Sequence, residues 1–183
     1  MKHSISVFCV LMLVVALVSS CKLKDEVHET PTITTSYFYV NPLFDEKGKV
    51  IGAADTLLVG HMIGDKESGT YILDTLNLVD SAQVLFAASF LSHGNNLVST
   101  HVNFDTANFK LRLGLTSDIM AATIEPTDTA KGQLYYRLGY NAVNFPIFYT
   151  PRKTGDLQLS LVVYSDAGEP YSPAAIRLVQ PVK

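Results

Sequence analysis

Apolar side chains occur in two regimes along this chain. Ile5 to Val18 is almost unbroken apolar sequence, interrupted only by Ser6. From Thr32 onward, apolar and polar residues alternate in short runs separated by turn residues. The clearest alternation sets Leu157, Leu159, Leu161 and Val163 against Gln158, Ser160, Val162 and Tyr164. Phe109, Leu111, Leu113 and Leu115 alternate with Lys110, Arg112, Gly114 and Thr116, and Leu134, Tyr136, Leu138 and Tyr140 form a third set. Successive strand side chains point to opposite faces, so each run predicts a strand with one face in a core.

Other stretches read as strands by composition. Thr32–Val40 is rich in Thr, Tyr, Phe and Val, and Thr56–Ile63 is a second candidate. Tyr71–Leu78 holds Asp74 and Asn77 within apolar sequence, which predicts two short strands or a strand and a loop. Val84–Leu91 is too short for an ordinary helix and predicts a strand covered on both faces. Leu97–Phe104 should place Val98, Val102 and Phe104 on one face. Phe145–Tyr149 and Ala174–Val179 complete the set. Polar turns are expected at Asp45–Lys49, Ser92–Asn96, Gly155–Asp156 and Asp166–Pro170, and Ser117–Thr123 is the one short helix expected.

About nine or ten strands, with no alternation of strand and helix, predict an all-β antiparallel sandwich with at most one short helix. The run Gly155–Asp166 followed by Ile176–Val182 resembles the central and closing strands of an immunoglobulin-like domain, although its Cys…Trp…Cys signature is missing. A small closed barrel is the competing fold. Residues 32–183 read as a single domain.

The apolar stretch at the start suits a signal-peptide core, which needs about 7–15 apolar residues, and is short for a bilayer span of roughly 20. It leads into Val18-Ser19-Ser20-Cys21, small residues before a cysteine. This resembles the lipobox of bacterial lipoproteins. The resemblance implies removal of residues 1–20 and lipid attachment at Cys21, with 21–31 as a tether. Lys22-Leu23-Lys24-Asp25-Glu26 is similar to the export signals of Bacteroidetes surface lipoproteins, which implies the outer membrane and exposure at the cell surface.

Cleavage would remove Lys2 alone among charged residues and leave 13 Lys and Arg against 17 Asp and Glu, a net charge of −4. That mild acidity argues against a nucleic-acid partner, which a basic patch would announce. Cys9 would leave with the signal and Cys21 would carry lipid, so the domain would have neither disulfide nor thiol chemistry. Trp is absent, while Tyr and Phe number 9 each, which suits a β core with amphipathic aromatics near its surface.

Motifs for chemistry are sparse. No Gly-x-Ser-x-Gly elbow, phosphate-binding glycine loop or calcium loop occurs. His61, His93 and His101 lack zinc-ligand spacing; they are expected in or beside a strand, in a turn and on an outer strand face, respectively. We therefore expect no catalytic residue, metal or cofactor, and a chain that is not an enzyme. Tyr135 should share one strand face with Gln133 and Arg137, where it could stack on a sugar ring while its neighbours bind hydroxyls. Tyr37, Tyr39, Tyr149, Tyr164 and Tyr171 could join it if they surface together. The expected role is a lipid-anchored envelope protein that binds or supports a partner in a surface complex. The alternatives are a glycan-binding accessory of polysaccharide uptake and a fimbrial or adhesin component.

Overall fold

The computed structural model describes residues 29–64, 69–77, 82–115, 117–124 and 127–183. Residues 1–20, Cys21 and most of the expected tether lie outside them. The first half holds β1 (Thr32–Thr35), β2 (Phe38–Val40), β3 (Leu43–Phe44), β4 (Val50–Gly52), β5 (Asp55–Leu57), β6 (Val59–Ile63) and β7 (Thr70–Leu73). Then come β8 (Val84–Leu91), β9 (Leu97–Phe104), β10 (Phe109–Leu113) and a helix, α1 (Ser117–Ala122). The chain ends with β11 (Gln133–Tyr135), β12 (Ala142–Pro151), β13 (Gly155–Ser165) and β14 (Ala174–Val182).

The strands form two six-stranded sheets and a small hairpin of β3 with β4. Sheet 1 runs β10-β12-β8-β2-β5, with β1 also paired to β8; sheet 2 runs β11-β9-β13-β14-β7-β6. The fold is thus an all-β sandwich of largely antiparallel sheets with one short helix among the described residues. Its exception is a parallel pair, β14 with β7.

The alternating strands behave as their patterns require. Leu157, Leu159, Leu161 and Val163 are all buried, and they meet Phe86, Phe90, Phe145 and Ile147 of sheet 1 in one apolar cluster. Burying each such side chain contributes about 1.5–3 kcal/mol. Phe38 stacks on Phe86 at 4.7 Å and Phe90 on Phe145 at 5.6 Å.

The strands are more numerous than the nine or ten expected, because hydrogen bonds to segments elsewhere in the chain cut long runs. Thr32–Val40 breaks at Ser36, whose hydroxyl accepts the Ala87 N–H at 2.8 Å in place of a backbone carbonyl. Thr56–Ile63 divides between the two sheets. The Leu58 N–H donates to the Asp74 carboxylate at 2.9 Å, and the Asp74 N–H donates to the Leu58 carbonyl at 3.0 Å. That clamp holds the chain where it passes from β5 to β6.

Two expected faces are corrected. Val98 is exposed rather than inward with Val102, because a bulge intervenes: Ser99 pairs with Tyr164 but Leu97 pairs with Ser165, so Val98 is the extra residue. Leu134 and Tyr136 are buried, but Leu138 is 86% exposed, since β11 ends at Tyr135 and the chain turns away. Val84–Leu91 is covered on both faces only at its start, where Leu85 is buried; Leu91 at its end is exposed.

A proline inside β12 sets the end of β10. The Pro146 carbonyl accepts the Gly114 N–H at 2.7 Å, so the ring that lacks a donor faces the place where β10 has already ended.

Candidate binding face

The outer surface of sheet 2 gathers the side chains that sequence reasoning singled out. Leu134, Thr100, Leu161 and Val163 point into the core, so their strand neighbours Gln133, Tyr135, Ser99, His101, Val162 and Tyr164 point outward. Register places Tyr135, Ser99 and Tyr164 in one row across three strands, and Gln133, His101 and Val162 in the next.

Small Ser99 lies between the two tyrosines in that row and is 4% exposed. Both rings rest on His101: Tyr135 edge-on at 5.9 Å and Tyr164 tilted at 5.1 Å. The Tyr135 hydroxyl lies 3.4 Å from the Gln133 side-chain oxygen, at the long limit of a hydrogen bond. Burial disfavours charge on the His101 imidazole and lowers its pKa below the usual 6.5. Its Nε2 is buried with no hydrogen-bond partner among the described residues. The cluster is therefore a three-ring platform, centred on an imidazole that resists protonation, with an amide beside it.

Pairing of β11 with β9 depends on Gly132, whose carbonyl accepts the Val102 N–H at 2.7 Å. Gly132 has φ +69°, and a Cβ there would lie 2.5 Å from the Val102 carbonyl oxygen. Only glycine permits both the conformation and the approach.

Arg137 does not join the platform as expected. Its backbone N–H donates to Ala122 of α1, beyond the end of β11, and its side chain is exposed. Nor do three of the other tyrosines join it: Tyr37 and Tyr39 belong to the sheet 1 side, and Tyr149 is 1% exposed between the sheets. Sequence reasoning put His101 on an outer face but did not join it to Tyr135. That contact joins residues 34 positions apart in sequence, and no local period signals it.

Other hollows are present. A slot of about 550 Å³ opens where β5 passes to β6, lined by Thr35, Tyr37, Leu57, Leu58 and Val59 and carrying no ionisable group except the Tyr37 phenol. A smaller hollow of about 310 Å³ lies on the same face as the platform, lined by Thr70, Ser160, Ala175 and Arg177. Although the slot is larger, the sheet 2 face carries the polar chemistry. Among the described residues, no group of three or more His, Cys, Asp or Glu side chains converges in a way that could hold a metal. His93 instead shares a 2.8 Å hydrogen bond with the Thr32 hydroxyl. No described helix is long and apolar enough to cross a membrane.

No protein-family model and no curated protein matches the chain. Solved structures with a similar fold include the secreted serine protease VesC from Vibrio cholerae, at 13% identity and TM-score 0.37, covering 59% of this chain and 21% of that one. The N-terminal domain of PorA matches at 11% identity and TM-score 0.35, covering 69% of this chain and 96% of that one. The chain described as BspA_C_WT matches at 11% identity and TM-score 0.35, covering 81% and 50%. This chain thus spans about a fifth of the protease and half of the BspA chain. At TM-scores of 0.37 and 0.35, these likenesses assign neither a class nor a location. They establish no family. The match to a protease overturns the expectation that the chain is not an enzyme; at such similarity it assigns no activity in its place.

Proposed function

We propose that this chain is an outer-membrane lipoprotein of the Bacteroidetes type, anchored through Cys21 and facing the medium, whose β-sandwich binds a partner in a surface complex through the outer face of sheet 2. The observation that carries the binding role is the three-ring cluster of Tyr135, His101 and Tyr164 on that face. Aromatic side chains gathered on a sheet's solvent side offer a large, rigid contact area at low entropic cost. The lipobox residues Val18-Ser19-Ser20-Cys21 support the anchor.

A photo-crosslinking residue at position 135 should trap an envelope component, while the same residue at position 110, on the far sheet, should not. Crosslinks of equal yield from both positions, or from neither, would refute the assigned face. Metabolic labelling with a radioactive fatty acid, lost on Cys21→Ala, tests the anchor separately.

A second reading is that the partner is a glycan, with the chain an accessory of polysaccharide uptake. The pairing of the ring platform with the Gln133 amide favours it, since sugars take stacking on their apolar face and hydrogen bonds at their hydroxyls. Glycan-array binding by the mature protein, abolished in Tyr135→Ala, is the expected result.

A further inference from the structure

The ring platform continues into a second, differently built half. Register extends the row of Gln133, His101 and Val162 to Ala175 on β14. The adjacent row runs Asn103, Ser160, Arg177 and Thr70 across β9, β13, β14 and β7. Arg177 therefore shares the outer face with His101, two strands over and two residues along. Strand spacing and rise put their Cα atoms roughly 12 Å apart.

The hollow of about 310 Å³ in that second row is lined by Thr70, Ser160, Ala175, Ile176 and Arg177, with no acidic residue among the described residues that line it. Arg177 is exposed, and among the described residues no carboxylate is paired with it. A guanidinium flanked by hydroxyls presents forked donors that match an oxyanion in two-point geometry. In register, the row next to Arg177 continues from His101 through Val162 to Ala175, both uncharged.

We propose that the face takes an acidic polysaccharide, with one sugar ring against Tyr135 and Tyr164 and the carboxylate of a nearby uronic acid unit on Arg177. This inference rests on the glycan reading of the platform. The mature chain would carry a net charge of −4, so a polyanion gains little from overall charge, and the contact at Arg177 selects placement rather than mere charge.

The test uses the mature protein with immobilised polygalacturonate, alginate and hyaluronan, each beside its carboxyl-reduced counterpart, and with dextran sulfate. At least one acidic polymer should bind about tenfold more tightly than its reduced form, as expected for a charge-assisted contact at a partly exposed site. Arg177→Gln should erase that difference while leaving the weaker binding of the reduced polymer. Tyr135→Ala should weaken both forms, with circular dichroism confirming that each variant folds. Equal binding of acidic and reduced polymers, or dextran sulfate binding as well as the best uronate, would overturn the role of Arg177 and leave the glycan reading intact. Failure of every polymer to bind would remove both.

Discussion

Tyr149 of sheet 1 donates its hydroxyl to the Gln180 side-chain oxygen of sheet 2 at 2.7 Å, and both residues are 1% exposed. The Gln180 amide nitrogen in turn donates to the carbonyls of Asp74 at 2.9 Å and Pro181 at 3.0 Å. One buried polar chain thus ties the two sheets to the clamp that holds Leu58. Burial also pushes the Tyr149 phenol well above its usual pKa, so it remains a donor at every physiological pH. Tyr149→Phe leaves the Gln180 oxygen without its partner and should cost about 1–3 kcal/mol in urea unfolding. In a Gln180→Met background the same change should cost much less. An equal cost in both backgrounds would show that the hydrogen bond contributes nothing.

Gly132→Ala should be more damaging, by about 2–4 kcal/mol, because it adds left-handed backbone strain to a collision with the Val102 carbonyl. Hydrogen exchange should quicken first at the amides of β11 and its partners on β9. Unchanged exchange there, with stability intact, would mean that the loop absorbs the new methyl group.

Gly114→Ala tests close approach without strain. A Cβ there would lie 2.6 Å from Pro146 Cγ and 3.2 Å from the Phe148 ring. A loss of about 1–3 kcal/mol in thermal or urea unfolding is expected, because these neighbours must move to admit the methyl.

His101 should make stability pH-dependent. Its folded pKa is lowered by burial, so the folded chain binds fewer protons at this site than the unfolded chain. Its contribution is fully present above the unfolded value near 6.5 and is lost as pH falls through the lowered folded pKa. Urea midpoints measured from pH 7.5 down to pH 5.5 should fall more steeply for the native chain than for His101→Phe, which keeps a ring between Tyr135 and Tyr164. Parallel slopes would exclude His101 as the source.

Much of the fold was legible locally. A period of two is a property of neighbouring residues, so Leu157 to Val163 declared both their strand and its buried face without reference to any other segment. The outward setting of Gln133 and Tyr135 was readable for the same reason, and the short helix expected over Ser117–Thr123 was readable from its compact Ala- and Met-containing composition. The breaks at Ser36 and Leu58 and the bulge at Val98 were not, because each depends on a partner elsewhere: Ala87, Asp74 and the offset pairing with Tyr164 and Ser165.

The alternation of side chains alone determined that this chain builds sheets, and which faces of its strongest strands seek a core. Tertiary structure decided which strands lie side by side. Only then do Tyr135, His101 and Tyr164 meet, Arg137 turn away, and Arg177 come onto the same face. Strand pairing is set by hydrogen bonds and packing between segments far apart in sequence, and a local period carries no record of them.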